Sequence, residues 1–301
     1  ISLFVRGLNQ GIDFSGGRNY VVKFEKPVNT SDLQSLLTPV FNDNGEVASV
    51  SVITIENSNQ VRVSTNYKIT EDASDIEQEI TQKLYNTFKA EGLLPNGMTL
   101  EDFSTTDESQ GILSSQTVGP TVANDMRNKA YIAVILSLAA MFLYILLRFR
   151  NVAFSLGALA AVAFTAFSII GFYSLFWGVL PFAMEIDQTF IAAILTIIGY
   201  QINDTVVVFD RVRENINLYP KQDFFTLINK SLNSTLGRTI MTSFSTFLVL
   251  LCIFILGGDS IRSFIFAMLF GVVTGTLATM FIATPVAYLT NKRSAANNTA
   301  K

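Results

Sequence analysis

Polar and apolar positions change their period along this chain near residue 130. Before it, short alternating runs are separated by turns. Asn19-Tyr20-Val21-Val22-Lys23-Phe24 alternates as a strand does. Thr30 to Leu37 opens on a capping residue and continues with helical apolar spacing. Val47 to Ile55 and Gln60 to Asn66 are β-branched alternating runs joined by Glu56-Asn57-Ser58-Asn59, which predicts a hairpin. Ile76, Ile80, Leu84 and Phe88 recur at fours and make Asp72 to Ala90 an amphipathic helix. Leu100 to Thr106 is expected as a last short strand. The order β-α-β-β-α-β is the split βαβ arrangement of an α+β ferredoxin-like domain. It is assigned to residues 19–109, after an entry segment 1–18 that carries Gly11-Ile12-Asp13-Phe14-Ser15-Gly16-Gly17.

Beyond a linker at 110–130, the apolar runs lengthen. Five spans are expected, at about 131–147, 152–177, 188–209, 239–256 and 261–289, within a bundle at 131–290. Runs of this order cross a hydrocarbon core of about 30 Å at about 1.5 Å per residue. Residues 291–301 form a tail. The fold class is therefore a multi-pass α-helical membrane bundle with a ferredoxin-like domain outside it.

Charge supplies the orientation. Half of the 301 residues are apolar, 15% are charged, and the mean hydropathy is +0.40. Residues 1–129 hold 10 Lys/Arg against 17 Asp/Glu, and residues 130–301 hold 11 against 7. Arg148, Arg150, the five basic residues of 211–238, Lys292, Arg293 and Lys301 all fall on one side of the bundle, and the short loops of the other hold only Arg262. The positive-inside rule makes the first side cytoplasmic. Residues 1–130 then lie mainly outside the cytoplasm, and the C-terminus inside. The first residues read as the tail of a preceding element, and a sixth helix is expected before Ile1. No basic patch points to nucleic acid. The lone Cys252 forms no disulfide within the chain. Neither a metal-ligand cluster nor an activated nucleophile is visible in the sequence. The reading is a non-enzyme with no cofactor and no metal.

The third span contains the feature that selects a chemistry. Asp204 lies six residues before the charged edge at Asp210, about 9 Å into the membrane. Insertion scales charge such a residue roughly 2.5–3.5 kcal/mol at a helix centre. An ionisable group kept at that cost is by default a proton or ion site facing a bundle interior or a wet cavity. A carboxylate neutralised only to fix packing is the structural alternative. With no histidine in the chain, a proton relay must use carboxylates, hydroxyls, tyrosine or water. Tyr200 lies one turn before Asp204 on the same face, Asn203 about a hundred degrees round, and Gly199 leaves room for a neighbour. On the fourth span Arg238, Thr242, Ser245 and Thr246 form a polar stripe, which Thr239 and Ser243 broaden. The stripe is expected to face the bundle. If the segment is helical by Leu236, Arg238 enters at the depth of Asp204. Gly271, Gly275 and Thr279 on the last span read as helix packing.

Three stretches carry a resemblance to a known family: Gly11 to Gly17 (GIDFSGG), Gly199 to Arg211 (GYQINDTVVVFDR) and Arg238 to Ser243 (RTIMTS). They closely resemble the motifs of SecF, the membrane subunit that works with SecD in bacterial protein export. The resemblance runs over essentially the whole chain, in the same order. It implies a proton-driven half-transporter of the resistance-nodulation-division superfamily in the bacterial plasma membrane, drawing on the proton-motive force. Its implied partners are SecD, the SecYEG translocon, unfolded preprotein and membrane lipid. The family's intramembrane aspartate falls on Asp204 and its functional arginine on Arg238. Gly11, Asp13, Phe14, Gly16 and Gly17 fall on the family's entry motif. Two departures stand out. The family's first helix is missing, as in the second half of a SecD–SecF fusion, and Gln201 stands where serine is common. A passive translocon scaffold and a small-molecule proton antiporter of the same superfamily are the alternative functions.

Overall fold

A four-stranded antiparallel sheet sits on one end of a helical bundle. The computed structural model describes residues 3, 7–42, 48–55, 57–70, 73–105, 110–177, 179–180, 182 and 184–299. A short helix α1 (Ile12–Ser15) leads into β1 (Gly17–Lys23), α2 (Thr30–Val40), β2 (Val50–Ile55), β3 (Asn57–Thr65), α3 (Ala73–Ala90), α4 (Leu100–Ser104) and β4 (Gly111–Val118). The sheet order is β2-β3-β1-β4, with every neighbouring pair antiparallel. That is the strand order of a split βαβ unit. Asn29 caps α2 by accepting from the Ser31 N–H at 3.0 Å. Ile76, Ile80, Leu84 and Phe88 of α3 are buried, as their spacing predicts, against Tyr20, Val22, Val61 and Val63 on one face of the sheet. Glu56 of the expected hairpin turn and Asp72 of the expected helix lie outside the described residues.

The last strand is not where the sequence places it. Leu100–Ser104 is a helical turn because Thr99 and Asp102 close a capping box, which satisfies its first free N–H groups. The fourth strand is Gly111–Val118, pairing Tyr20 with Ser115 and Gly17 with Val118. Its Ser114 to Thr117 are all exposed, so it lacks the alternation that marks a half-buried strand. The domain therefore runs on to Val118. The segment 110–130 is strand and helix, not a linker.

Gly119 and Pro120 then turn the chain into α5 (Pro120–Phe149). It is followed by α6 (Val152–Phe176), α7 (Gln188–Leu218), α8 (Phe224–Leu256) and α9 (Asp259–Ala278). A π-helical turn at Thr279–Ala283 joins α9 to α10 (Thr284–Thr299). Five helices are long and apolar enough to cross a membrane, the last being Ile261–Asn291. The stretch 211–238 is helical except near Tyr219 to Asp223, so the helices outrun their apolar spans. Asp223 caps α8 by accepting from the Thr226 N–H at 3.0 Å.

The helices are buried unequally. In their most apolar windows α6, α7 and the last span are 50%, 44% and 50% buried, whereas α5 and α8 are 11% and 17%. The two outer helices therefore present most of their surface to whatever surrounds the chain. Against α7, the last span forms a parallel ladder of small residues. Gly271 meets Ile197, Gly275 lies 3.4 Å (from an added Cβ) from the Gln201 Oε1, and Thr279 shares a 3.1 Å hydrogen bond with Thr205. Small residues at these positions let the backbones approach, as the small-xxx-small spacing predicts.

Candidate functional site

Two polar places lie along α7, one at its middle and one at its N-terminal end. At the middle, Asp204 is 6% exposed. Ser243 of α8 donates to its Oδ2 over a long 3.5 Å. Ser243 in turn shares a 2.6 Å hydrogen bond with Thr276 of α9. One residue on, Thr205 donates to the Gln201 carbonyl at 3.0 Å and meets Thr279. Asp204, Ser243 and Thr276 thus tie three helices at one level. Hydroxyls donate or accept equally well, so this chain of contacts suits both the charged and the neutral carboxyl.

The expected stripe on α8 divides. Thr246 donates to the Tyr200 hydroxyl at 3.2 Å and so does meet α7. Arg238, Thr242 and Ser245 are exposed. The hydroxyls of Thr242 and Ser245 return to their own helix, at the carbonyls of Thr239 and Met241. The row that faces inward is Thr235, Thr239 and Ser243. Small hydroxyl residues at i, i+4 and i+8 let α8 approach α7 closely, where the long arginine side chain would not pack. No salt bridge joins Arg238 to Asp204 among the described residues. On α7, Ala192, Thr196, Gly199 and Asn203 follow the same outward face. An added Cβ at Gly199 would meet nothing within 4 Å, so the neighbour expected there is not part of this chain's described structure.

Gln201 is 2% exposed, and neither its Nε2 nor its Oε1 has a partner among the described residues; the Thr239 hydroxyl is buried in the same condition. The glutamine is the departure noted in the sequence, and here it lies against Gly275.

At the N-terminal end of α7 the entry motif makes a clamp. The Gly11 N–H donates to the Ile186 carbonyl at 3.0 Å, and the Ile186 N–H donates to the Asn9 carbonyl at 2.8 Å. Asp187 caps α7, its Oδ1 accepting from the Phe190 N–H at 2.8 Å and the Thr189 hydroxyl at 2.7 Å. Asp13 Oδ2 accepts from the Gln188 N–H at 3.2 Å. Two carboxylates therefore sit where the helix dipole is positive. Phe14 is buried in the bundle's own core. The glycines serve close approach: a Cβ on Gly11 would stand 3.2 Å from the Asp187 Cβ, and one on Gly17 would stand 2.6 Å from the Ile12 Cγ2. Gly16 has φ 75°, where a side chain is strained.

Above this clamp the sheet turns its second face, with Asn19, Val21, Arg62, Ser114 and Gln116, toward the bundle. Between them is a cavity of about 610 Å³ that Asp13, Glu185, Asp187 and Thr189 also line. Ser51 of β2 donates to the Glu185 Oε1 at 3.1 Å. Burial pushes the Glu185 carboxyl above the usual carboxylate range, the Ser51 bond and the Arg62 charge oppose this, and Asp187 and Asp13 add to it. Sequence reading passed over Glu185, Ser51 and Arg62, which lie in three separate segments and share no motif.

Comparison with known proteins places the chain. Residues 99–293 match the family described as protein export membrane protein SecD/SecF, C-terminal, and residues 1–28 match the SecD/SecF GG motif. The chain is 37% identical over 296 residues to the protein translocase subunit SecF of Rhodothermus marinus, covering 98% of this chain and 88% of that one. It is 36% identical to the SecF of Petrotoga mobilis, covering 95% and 87%. A crystal structure of SecDF from Thermus thermophilus, described as a translocon-associated membrane protein, superposes with a TM-score of 0.76 at 29% identity. That match covers 97% of this chain and 36% of the SecDF chain, so the chain spans about a third of that longer protein.

Proposed function

The chain belongs to the SecD/SecF family of protein-export membrane proteins, and we propose that it is a SecF-type half of a proton-driven machine that assists preprotein export. Its role is transport, as the names of its relatives state. In this reading Asp204 takes and releases a proton within the bundle, and the cycle moves the soluble domain on the outer face of the plasma membrane. Movement of that domain helps draw preprotein from SecYEG. The basic residues gathered at one end of the bundle support a cytoplasmic C-terminus.

The observation that carries the reading is the setting of Asp204. An ionisable group is kept deep in a membrane helix with one long contact to a hydroxyl that tolerates both protonation states, and among the described residues no cation pairs with it. A packing carboxylate would be expected to have its cation in contact, because an unpaired buried charge is costly. The exposed polar face of Asn203, Arg238, Thr242 and Ser245 fits a second half of the SecD type. Approach of that half would bring Arg238 toward Asp204 and favour the charged form, and withdrawal would favour the neutral one. SecD and SecF lie on one chain in the Thermus thermophilus relative.

The test is preprotein export into membrane vesicles with and without a proton gradient, at constant motor fuel, with Asp204→Asn in the full complex. The expected result is that the gradient speeds late export in the wild type and not in the variant. An equal response in both would leave the passive scaffold as the better reading.

A further inference from the structure

We infer that Glu185 is a second proton-carrying carboxylate, one that latches the soluble domain to the N-terminal end of the Asp204 helix and links domain docking to proton occupancy. The geometry is that of a joint between two bodies. Ser51 belongs to β2 and Arg62 to β3, both in the domain, while Glu185 lies in the connection two residues before the Asp187 cap of α7. The hydrogen bond from Ser51 to Glu185 spans 134 residues of sequence. The same connection is gripped by Gly11 on one side through Ile186 and by Asp13 through Gln188. A change at Glu185 therefore reaches the domain and the start of α7 together.

The charges around the joint set its direction. Facing Glu185 are Arg62 from the sheet, Asp187 from its own segment and Asp13 from α1. Three carboxylates and one guanidinium thus line the same cavity. With Glu185 ionised, the docked joint holds an excess of negative charge around a half-buried carboxylate. With Glu185 neutral, one negative charge fewer faces Asp13 and Asp187, and Ser51 still has an oxygen to bond. The docked arrangement therefore holds the proton more tightly than an open one would, in agreement with the upward displacement of its titration.

By linkage, docking is fullest below the ordinary glutamate value of about 4.3 and is lost as pH rises through the raised value. The proton step is simple: a Glu185 carboxylate oxygen takes a proton from hydronium entering through the cavity, leaving water and a carboxylic acid. An acidified outer face, as a proton-motive force provides, would close the joint, and loss of the proton would free the domain to lift. The inference rests on the proposed function only for that use of the motion.

The test reads the joint directly. In the full complex, with native Cys252 replaced by serine, spin labels at Gln82→Cys on α3 and Val179→Cys beside the bundle report domain-to-bundle distance. Both sites are exposed. Between about pH 4 and about pH 8, a range spanning the ordinary glutamate value, the wild-type joint should pass from one short distance to a several-fold larger share of long ones. Glu185→Gln, which mimics the neutral acid, should keep the short distance at every pH. A wild-type distance that ignores pH would overturn the latch without any variant at the site. So would a Glu185→Gln variant that opens like wild type, or one that stands open throughout. Failure of the Asp204 reading would show in export and leave these distances unchanged.

Discussion

The middle and the N-terminal end of α7 are both polar, the first buried and the second half-buried, and they are finished to different degrees. At the end, every carboxylate has a donor of its own. Asp187 takes the Phe190 N–H, Asp13 the Gln188 N–H, and Glu185 the Ser51 hydroxyl, with Arg62 nearby. At the middle, Asp204 has one long contact to Ser243, Gln201 and Thr239 have no partner among the described residues, and Arg238 faces outward. The end is a joint completed within this chain. In the proposed function the middle is half a site, completed by a second half against the outer face of α7 and α8. The difference teaches where to expect loss of stability and where to expect loss of function alone.

The comparison breaks first if substitutions at the end prove harmless. Gly17→Ala drives a Cβ to 2.6 Å from the Ile12 side chain and 3.0 Å from the Thr65 carbonyl. It should lower stability by about 1–3 kcal/mol, the usual cost of overpacking, read as an earlier thermal transition in detergent. An unchanged transition would show that the clamp is loose. Asp187→Ala removes the α7 cap and should cost about 1 kcal/mol, with faster amide exchange confined to the first turn of α7. Protection lost evenly along the helix would contradict a local cap.

At the middle, effects on stability should shrink or reverse. Gln201→Met keeps the shape and removes two unpaired amide atoms, each of which costs about 1–3 kcal/mol when buried without a partner. The isolated chain should hold or gain stability; a clear loss would mean that the amide is satisfied. Smallest of all, Arg238→Gln should change the isolated chain's stability by less than about 0.5 kcal/mol, as exposed substitutions do, while the full complex loses its gradient response. A destabilised chain would place Arg238 in this chain's own packing.

Much of this was legible in the sequence, and the rest was hidden for identifiable reasons. Ile76, Ile80, Leu84 and Phe88 declared their helix because each fourth residue is strongly apolar. Asp204 stood out because one carboxylate interrupts a long apolar run. β4 was hidden because Ser114 to Thr117 point to polar surroundings on both sides, leaving no alternation to read. The inward face of α8 was ambiguous because hydroxyls occupy both faces. Period alone cannot choose between Thr239 with Ser243 and Thr242 with Ser245. The choice is made by tertiary packing, since the closest approach to α7 and α9 selects the row without a long side chain. Glu185 was invisible for another reason: its partners come from strands more than a hundred residues away.

The central claim is that Asp204 carries protons, and proton flux tests it most directly. The full complex would be sealed in vesicles loaded with a pH-sensitive dye, and a proton gradient imposed. The account predicts that wild-type vesicles acidify faster than protein-free ones and that Asp204→Asn returns the rate to the protein-free level. Equal fluxes in wild type and variant would contradict it, and would leave Asp204 as a structural residue.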